Sequence, residues 1–285
     1  MIDTITIVVL GIFGFGLGSI FGSFLNVVAL RWNTGKSLNG RSECFSCGHM
    51  LGWKDLFPIF SFVFQGGRCR YCSSHISWDH LYSESLTAIL FAVIVLRGVI
   101  DPALFSTGNY WIATLFLLVI TAVLVVVFLY DIRHKIIPDE LSLVFAVLAF
   151  VGMFFFGFGD AGVFIAHAFT VPSWEHVVGG LLVPLPFAVL WLVSKGRWIG
   201  LGDPKLMVGM GFLFGSIQGL SAVFLSFWIA TLYIMTLVIV RFLGSRKLFA
   251  YSKHTIMGTE VPFGPFLILS CVIVLVTNFS FLSFL

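Results

Sequence analysis

The chain has 285 residues, of which 59% are hydrophobic and only 10% charged, a balance far from that of a soluble globular domain. The formal net charge of +3 would suit an anionic partner. The basic residues are scattered through short loops, however, so they report membrane topology and give nucleic-acid binding no support. What remains is an all-α polytopic membrane protein.

Apolar segments near the ~20 residues needed to cross a bilayer fall at 5–30, 80–100, 111–130, 140–158, 177–194, 204–217, 220–242 and 263–284. They predict about eight transmembrane helices. The first is too long for the apolar stretch of a signal peptide and lacks a positive stretch before it, so it is expected to be retained. Within it Gly14, Gly18 and Gly22 recur every four residues, lining one face with small residues where another helix can approach closely. The sixth segment is short and glycine-rich. Its boundary with the seventh, at Gly215-Ser216-Ile217-Gln218-Gly219, is the weakest break, and a re-entrant segment there would reverse the C-terminus.

Alternating the spans from an external N-terminus gathers every Lys and Arg except Arg97 on one side. By the positive-inside rule that side is cytoplasmic, and it holds the 31–79 loop, Asp131 and Asp203. Three parts follow: a first transmembrane helix at 1–30, a cytoplasmic loop domain at 31–79, and a transmembrane core at 80–285.

The loop carries four of the five cysteines, as Cys44-Phe45-Ser46-Cys47 and Cys69-Arg70-Tyr71-Cys72. Each Cys-x-x-Cys pair can wrap a tight turn around a metal, and two pairs offer four thiolates in a tetrahedron, which suits structural Zn2+. Disulfides are the competing reading, disfavoured on the reducing side of the membrane. Four cysteines complete a shell without His49 or His75, which read as surface histidines. Cys271, alone in the last apolar segment, reads as a small core residue.

Two acids stand where spans meet cytoplasmic loops. Asp131 ends a helix, where the dipole disfavours a negative charge; Asp139, after Pro138, suits the start of the next one. His134 sits between Arg133 and Lys135, as part of an interfacial basic cluster. Asp203 follows Gly200-Leu201-Gly202 and precedes Pro204, a helix-entry turn whose glycines also permit close approach of an extended backbone. Acids at a membrane edge are costly to desolvate and so are functional candidates, and a pair of carboxylates can activate water. Two close carboxylates do not both ionise cheaply, so one holds a proton while the other acts as base. A proton-coupled transporter would also want membrane acids, but both of these lie at one face and none lies mid-span. A zinc-anchored scaffold is the blandest alternative.

The order of these pieces resembles the type IV prepilin leader peptidases, which are intramembrane aspartic proteases. The likeness runs through Gly22-Ser23-Phe24-Leu25-Asn26, the two cysteine knuckles flanking Trp53-Lys54-Asp55-Leu56-Phe57-Pro58, Glu84, and the Asp131 to Asp139 segment. It continues through Gly200-Leu201-Gly202-Asp203-Pro204-Lys205 and Pro262-Phe263-Gly264-Pro265. Phe45 stands where the family often has proline, and Tyr82-Ser83-Glu84-Ser85 is a looser version of its segment. The resemblance implies Asp131 and Asp203 as the catalytic pair, in the bacterial cytoplasmic membrane with the catalytic face inside. The implied substrate is a prepilin or pseudopilin precursor with a cytoplasmic leader and a single apolar helix in the lipid bilayer. It further implies N-methylation of the new N-terminus from S-adenosylmethionine. Presenilin-like proteases share a Tyr-Asp and a Gly-x-Gly-Asp but lack the cysteine loop, and their Pro-Ala-Leu motif is missing here.

Overall fold

The computed structural model describes residues 4–35, 37, 40–97, 108–158, 164–243 and 261–281. Expectations that fall on Lys36, Arg246, Lys247, Lys253, the Arg241 side chain and the span ends at 98–100 and 282–284 lie outside these residues. By packing, the chain forms two compact units, one of Met1–Leu129 with Phe158–Ala166 and the other of Tyr130–Gly157 with His167–Leu285.

In hydrocarbon every backbone amide and carbonyl must be satisfied within the segment, so long proline-free apolar runs become helices. Two such runs are α1 (Thr4–Arg31) and α4 (Gly108–His134). Between them lie the short α2 (Phe60–Phe64) and α3 (Trp78–Leu96), the latter opened by Ser77, whose hydroxyl accepts the Asp79 amide at 3.2 Å. The glycine stripe of α1 does what its spacing predicts. A Cβ on Gly14, Gly18 or Gly22 would stand 2.9, 2.7 or 2.8 Å from the Cα of Ala92, Ala88 or Glu84. Those partners run backwards along α3, so the two helices are antiparallel and Arg31 and Trp78 share an end.

Arg97, the lone basic residue assigned to the outer side, is buried. Its guanidinium donates to the Ile94 carbonyl, the Thr114 hydroxyl and the Phe164 carbonyl, and it lies 4.7 Å from the Tyr110 ring centre. Neutral acceptors and an aromatic face thus replace the water that a snorkelling arginine would find.

In the second unit α5 (Asp139–Gly152) is shorter than the 140–158 segment expected. Phe154-Phe155-Phe156 and Gly157 leave the helix, and the chain turns to a short strand, β1 (Phe156–Phe158); a second short strand, β2 (Phe164–Ala166), belongs to the first unit. Aromatic residues favour extended backbone, and glycine weakens a helix. The expected 177–194 span starts earlier, at Trp174, and is broken into α6 (Trp174–Leu182) and α7 (Leu185–Ser194). Pro184, which has no amide to donate, sits at the break.

The sixth and seventh expected segments form one 42-residue element, α8 (Gly202–Leu243), broken at Gly215 (φ 78°, ψ −172°). That backbone is open only to glycine, and the break falls at the boundary the sequence marks as weakest. The last element is α9 (Gly264–Thr277). Helices α5, α6 and α9 all pack on α8. Gly211 faces the Gly179 carbonyl without room for a side chain, and a Cβ on Gly209 would meet the Phe145 ring at 2.5 Å.

Among the described residues five helical segments are long and apolar enough to cross a membrane: α1, α3, α4, the broken α6–α7 pair, and α8. The 14-residue α5 and α9 reach about 21 Å at ~1.5 Å per residue, short of the ~30 Å hydrocarbon core. Cys271 lies buried in α9, as a core residue should.

Candidate active site and metal centre

The last turn of α4 carries Asp131, and the chain leaves that helix by a left-handed residue, Lys135 (φ 55°), whose amide bonds the Asp131 carbonyl at 2.7 Å. The turn lets α5 start at Asp139 and leaves Ile137 buried. Ile137 is the local hub. A Cβ on Gly202 would stand 2.8 Å from the Ile137 Cβ, and one on Gly264 would stand 3.0 Å from its Cδ1. Three segments distant in sequence therefore meet: the α4–α5 turn, the start of α8 and the start of α9.

This convergence brings the two predicted acids together, with the carboxyl of Asp203, in the first turn of α8, within electrostatic range of Asp131. Asp131 is only 3% exposed, with the Gly264 backbone amide beside its carboxyl. Asp203 is half-buried. Two carboxyls withdrawn from bulk water, close enough to repel, form a pair suited to holding one proton between them and leaving the other carboxylate to act as base.

Gly264 completes the site and carries no role by sequence reasoning. A Cβ there would sit 2.5 Å from Asp131 Oδ2 and 3.3 Å from its Cγ, so the missing side chain is what lets Asp131 occupy its place. The signal was present in Pro262-Phe263-Gly264-Pro265, a motif whose reason appears only in three dimensions.

The neighbouring acid and histidine separate cleanly from this pair. Asp139 is exposed and pairs with Lys205 at 2.7 Å, so it serves the start of α5. His134 is exposed, with its ring 4.4 Å from that of Tyr130.

The cysteine loop belongs to the other unit. Its two knuckles are built alike, 25 residues apart, as the steps from Cys44 to Cys69 and from Cys47 to Cys72 both show. The Cys44 amide bonds the His49 carbonyl at 3.0 Å as Cys69 bonds Ser74 at 2.8 Å; Gly48 bonds back to Cys44 at 2.8 Å as Ser73 does to Cys69 at 2.9 Å. Gly48 (φ 69°) and Ser73 (φ 59°) both take the left-handed backbone that closes the turn. Phe45, in place of a proline, leaves the first turn as tight as the second.

All four sulfurs lie within 4.8 Å of one another, a cluster that can hold a metal ion. The fit to zinc is close: a tetrahedron with Zn–S bonds of ~2.3 Å has edges of about 3.8 Å. Cys44 Sγ and Cys72 Sγ are 3.8 Å apart. The Cys47 and Ser46 amides, followed by the Ser74 hydroxyl, hold the Cys44 thiol down to about 6, and Ser74 also lowers that of Cys72, whereas at Cys47 the lowering by the His49 amide is outweighed by burial and the neighbouring Cys72 and Cys44, which push its thiol up to about 11. Thiolates are the form a metal takes. His49 stacks on Tyr71 at 3.6 Å and His75 is exposed; neither joins the cluster.

Residues 17–98 match the family described as Bacterial Peptidase A24 N-terminal domain, and residues 118–235 match the Type IV leader peptidase family. A protein of Klebsiella pneumoniae, named prepilin leader peptidase/N-methyltransferase, is 31% identical over 217 residues, covering 72% of this chain and 85% of the relative. The chain belongs to the type IV leader peptidase family. Two further relatives of the same name agree along almost the whole length. The Bacillus subtilis protein is 29% identical over 86% of this chain and 90% of its own, and the Dichelobacter nodosus protein 29% identical over 90% and 88%. No solved structure matches the chain. As a type IV leader peptidase family member with several apolar spans, it is a multi-pass membrane protein. The cysteine cluster falls in the first matched region, and both acids fall in the second.

Proposed function

We propose that this family member cleaves the leader from prepilin or pseudopilin precursors at the cytoplasmic membrane face, with Asp131 and Asp203 as its catalytic pair. The observation that carries the reading is the convergence of the two acids around Ile137 and Gly264, from three separate segments, with Asp131 buried and Asp203 half-buried. In the proposed reaction one carboxylate takes a proton from water as it attacks the scissile carbonyl, while the proton held by the partner is shared with the carbonyl oxygen. The pair acts as a unit, so neither acid owns one role.

Membrane orientation follows from the basic residues, which gather on the side of the 31–79 loop and of both acids. Cys44, Cys47, Cys69 and Cys72 would hold one zinc as a structural tie for the loop domain, since four thiolates leave no open position for a reacting water. Residues 80–285 carry the peptidase core. The relatives are also named N-methyltransferase, which supports a second activity for this chain; the proposed acceptor is the new N-terminus, for which S-adenosylmethionine would be the donor. A proton-coupled transporter does not account for Gly264 clearing space at Asp131, and a presenilin-like protease does not account for the paired knuckles.

The experiment is cleavage of a single-span precursor by the purified protein in detergent. Comparing a precursor whose residue before the cut is glycine with one carrying valine there tests the close approach of the backbone. The glycine precursor is expected to be cut on its cytoplasmic side and the valine one to co-purify uncut. No cleavage of either, or cleavage on the outer side, contradicts the reading.

A further inference from the structure

The segment before the second cysteine knuckle is the reverse of a water-facing loop. Trp53, Phe57, Phe60 and Phe64 are 75%, 54%, 52% and 85% exposed, and they line an open groove of about 340 Å³ with Lys54 and Arg70 at its edge. A contiguous aromatic ridge of this kind marks an interaction site, because water-exposed loops scatter large apolar side chains singly.

The ridge is also held rigidly. Ile59 has φ 63°, a backbone rarely open to a β-branched residue, and its amide donates to Glu84 Oε2 at 2.7 Å. Phe62 is the one ring of α2 turned inward, 8% exposed and 5.1 Å from the Trp78 ring. Gly66 and Gly67, both at positive φ, close the turn, and a Cβ on Gly67 would meet the Phe62 ring at 3.1 Å. With Phe62 pinned and Ile59 clamped, Phe60 and Phe64 project outward.

What they project towards follows from continuity with the membrane surface. Trp78 and Tyr82 occupy the first turns of the membrane-crossing α3, are 60% and 66% exposed, and sit 6.3 Å apart. Tryptophan and tyrosine in that position form the belt of a span at the headgroup level. Phe62 packs on Trp78, so the α2 turn stands at the same level. The antiparallel pairing of α1 with α3 returns both ends of the loop to one membrane face. Lys54, its Nζ 5.4 Å from the Trp53 ring centre, puts a cation beside the rings, as a surface with anionic headgroups requires, and Arg70 adds a second at the groove edge while pairing through Nε with Asp55 at 3.4 Å.

We propose that residues 53–64 are an interfacial anchor lying in the headgroup–acyl boundary of the phospholipid bilayer that α1 and α3 cross. Glu84 is its positioning residue, acting through the Ile59 amide. The anchor is independent of the catalytic pair and would hold the cysteine loop against the membrane surface.

The test uses the full-length protein with Phe64→p-benzoylphenylalanine, reconstituted in vesicles of phosphatidylethanolamine and phosphatidylglycerol that contain an alkyne-tagged phospholipid. On irradiation the tagged lipid should form the main adduct at this position. Trp53→p-benzoylphenylalanine gives a second reading at the other edge of the ridge if the first variant does not fold. Adding Glu84→Ala should lower the lipid adduct several-fold, and Glu84→Gln, which keeps an acceptor for the Ile59 amide, should restore it. A photoproduct joining two chains, an adduct with another protein, or no adduct in folded protein overturns the lipid assignment. An undiminished yield in Glu84→Ala overturns the role of Glu84.

Discussion

Gly264→Ala is the sharpest single perturbation of the site, because it changes one methyl group and leaves both acids in place. Gly264 is not at positive φ, so alanine is acceptable to the backbone and the whole effect comes from side-chain room. The new Cβ would stand 2.5 Å from Asp131 Oδ2, whereas ordinary contact begins at 3.4 Å, so the carboxyl must retreat by about 0.9 Å. Asp131 is short and buried, and the new methyl would also stand 3.0 Å from Ile137 Cδ1, so it has no free side to move towards and the carboxyl turns away from its present position. Misplacing a reacting group by ~1 Å lowers a rate by roughly 10²-fold, equivalent to about 2.7 kcal/mol of transition-state stabilisation. The assay is the initial rate of precursor cleavage, with co-purification of precursor and thermal stability in detergent measured alongside. Cleavage should fall by about two orders of magnitude while the precursor still associates. Gly16→Ala, where nothing lies within 4 Å, should leave all three readings unchanged. A Gly264→Ala protein that cuts within about 3-fold of wild type would refute the idea that this glycine sets the position of Asp131.

Gly18→Leu should destabilise the protein in detergent by about 1–3 kcal/mol, since the Thr87 carbonyl and the Ala88 Cα beside it are backbone and cannot yield, whereas Gly16→Leu should be neutral; equal melting of the two variants would contradict the α1–α3 packing. Elemental analysis should find about one zinc per chain, and Cys69→Ser should lose it and expose the other three thiols to alkylation. Metal-free protein with four freely reactive thiols would remove the zinc assignment. Asp139→Asn breaks only an exposed ion pair with Lys205, a contribution of about 0–1 kcal/mol, so cleavage should stay near wild type; a drop beyond about tenfold would make Asp139 part of the chemistry.

Legibility in the sequence followed the range of the interaction. The helix positions and the α1 glycine face could be read because they depend on local composition and on a four-residue spacing. The knuckles were legible for the same reason: Cys44, Cys47, Cys69 and Cys72 carry their geometry in their spacing, while the equivalence of Gly48 and Ser73 emerges only from their shared backbone. Asp131 and Asp203 stood out because acids are scarce at span ends. Gly264 did not, since its purpose is a contact with a residue far away in the chain. The burial of Arg97 among neutral acceptors was likewise a tertiary outcome, since it needed Thr114 and Phe164 beside it. The break at Gly215 was foreseen in place because a glycine-rich stretch weakens a helix wherever it occurs.

The most direct test of the central claim is precursor cleavage by purified Asp131→Asn and Asp203→Asn, each shown to be inserted and folded. Asparagine keeps the shape of the side chain but can neither act as the carboxylate base nor carry the shared proton. Each variant should lose at least about 10²-fold in cleavage rate, while the precursor still co-purifies. Cleavage near the wild-type rate by either variant would contradict the catalytic pair.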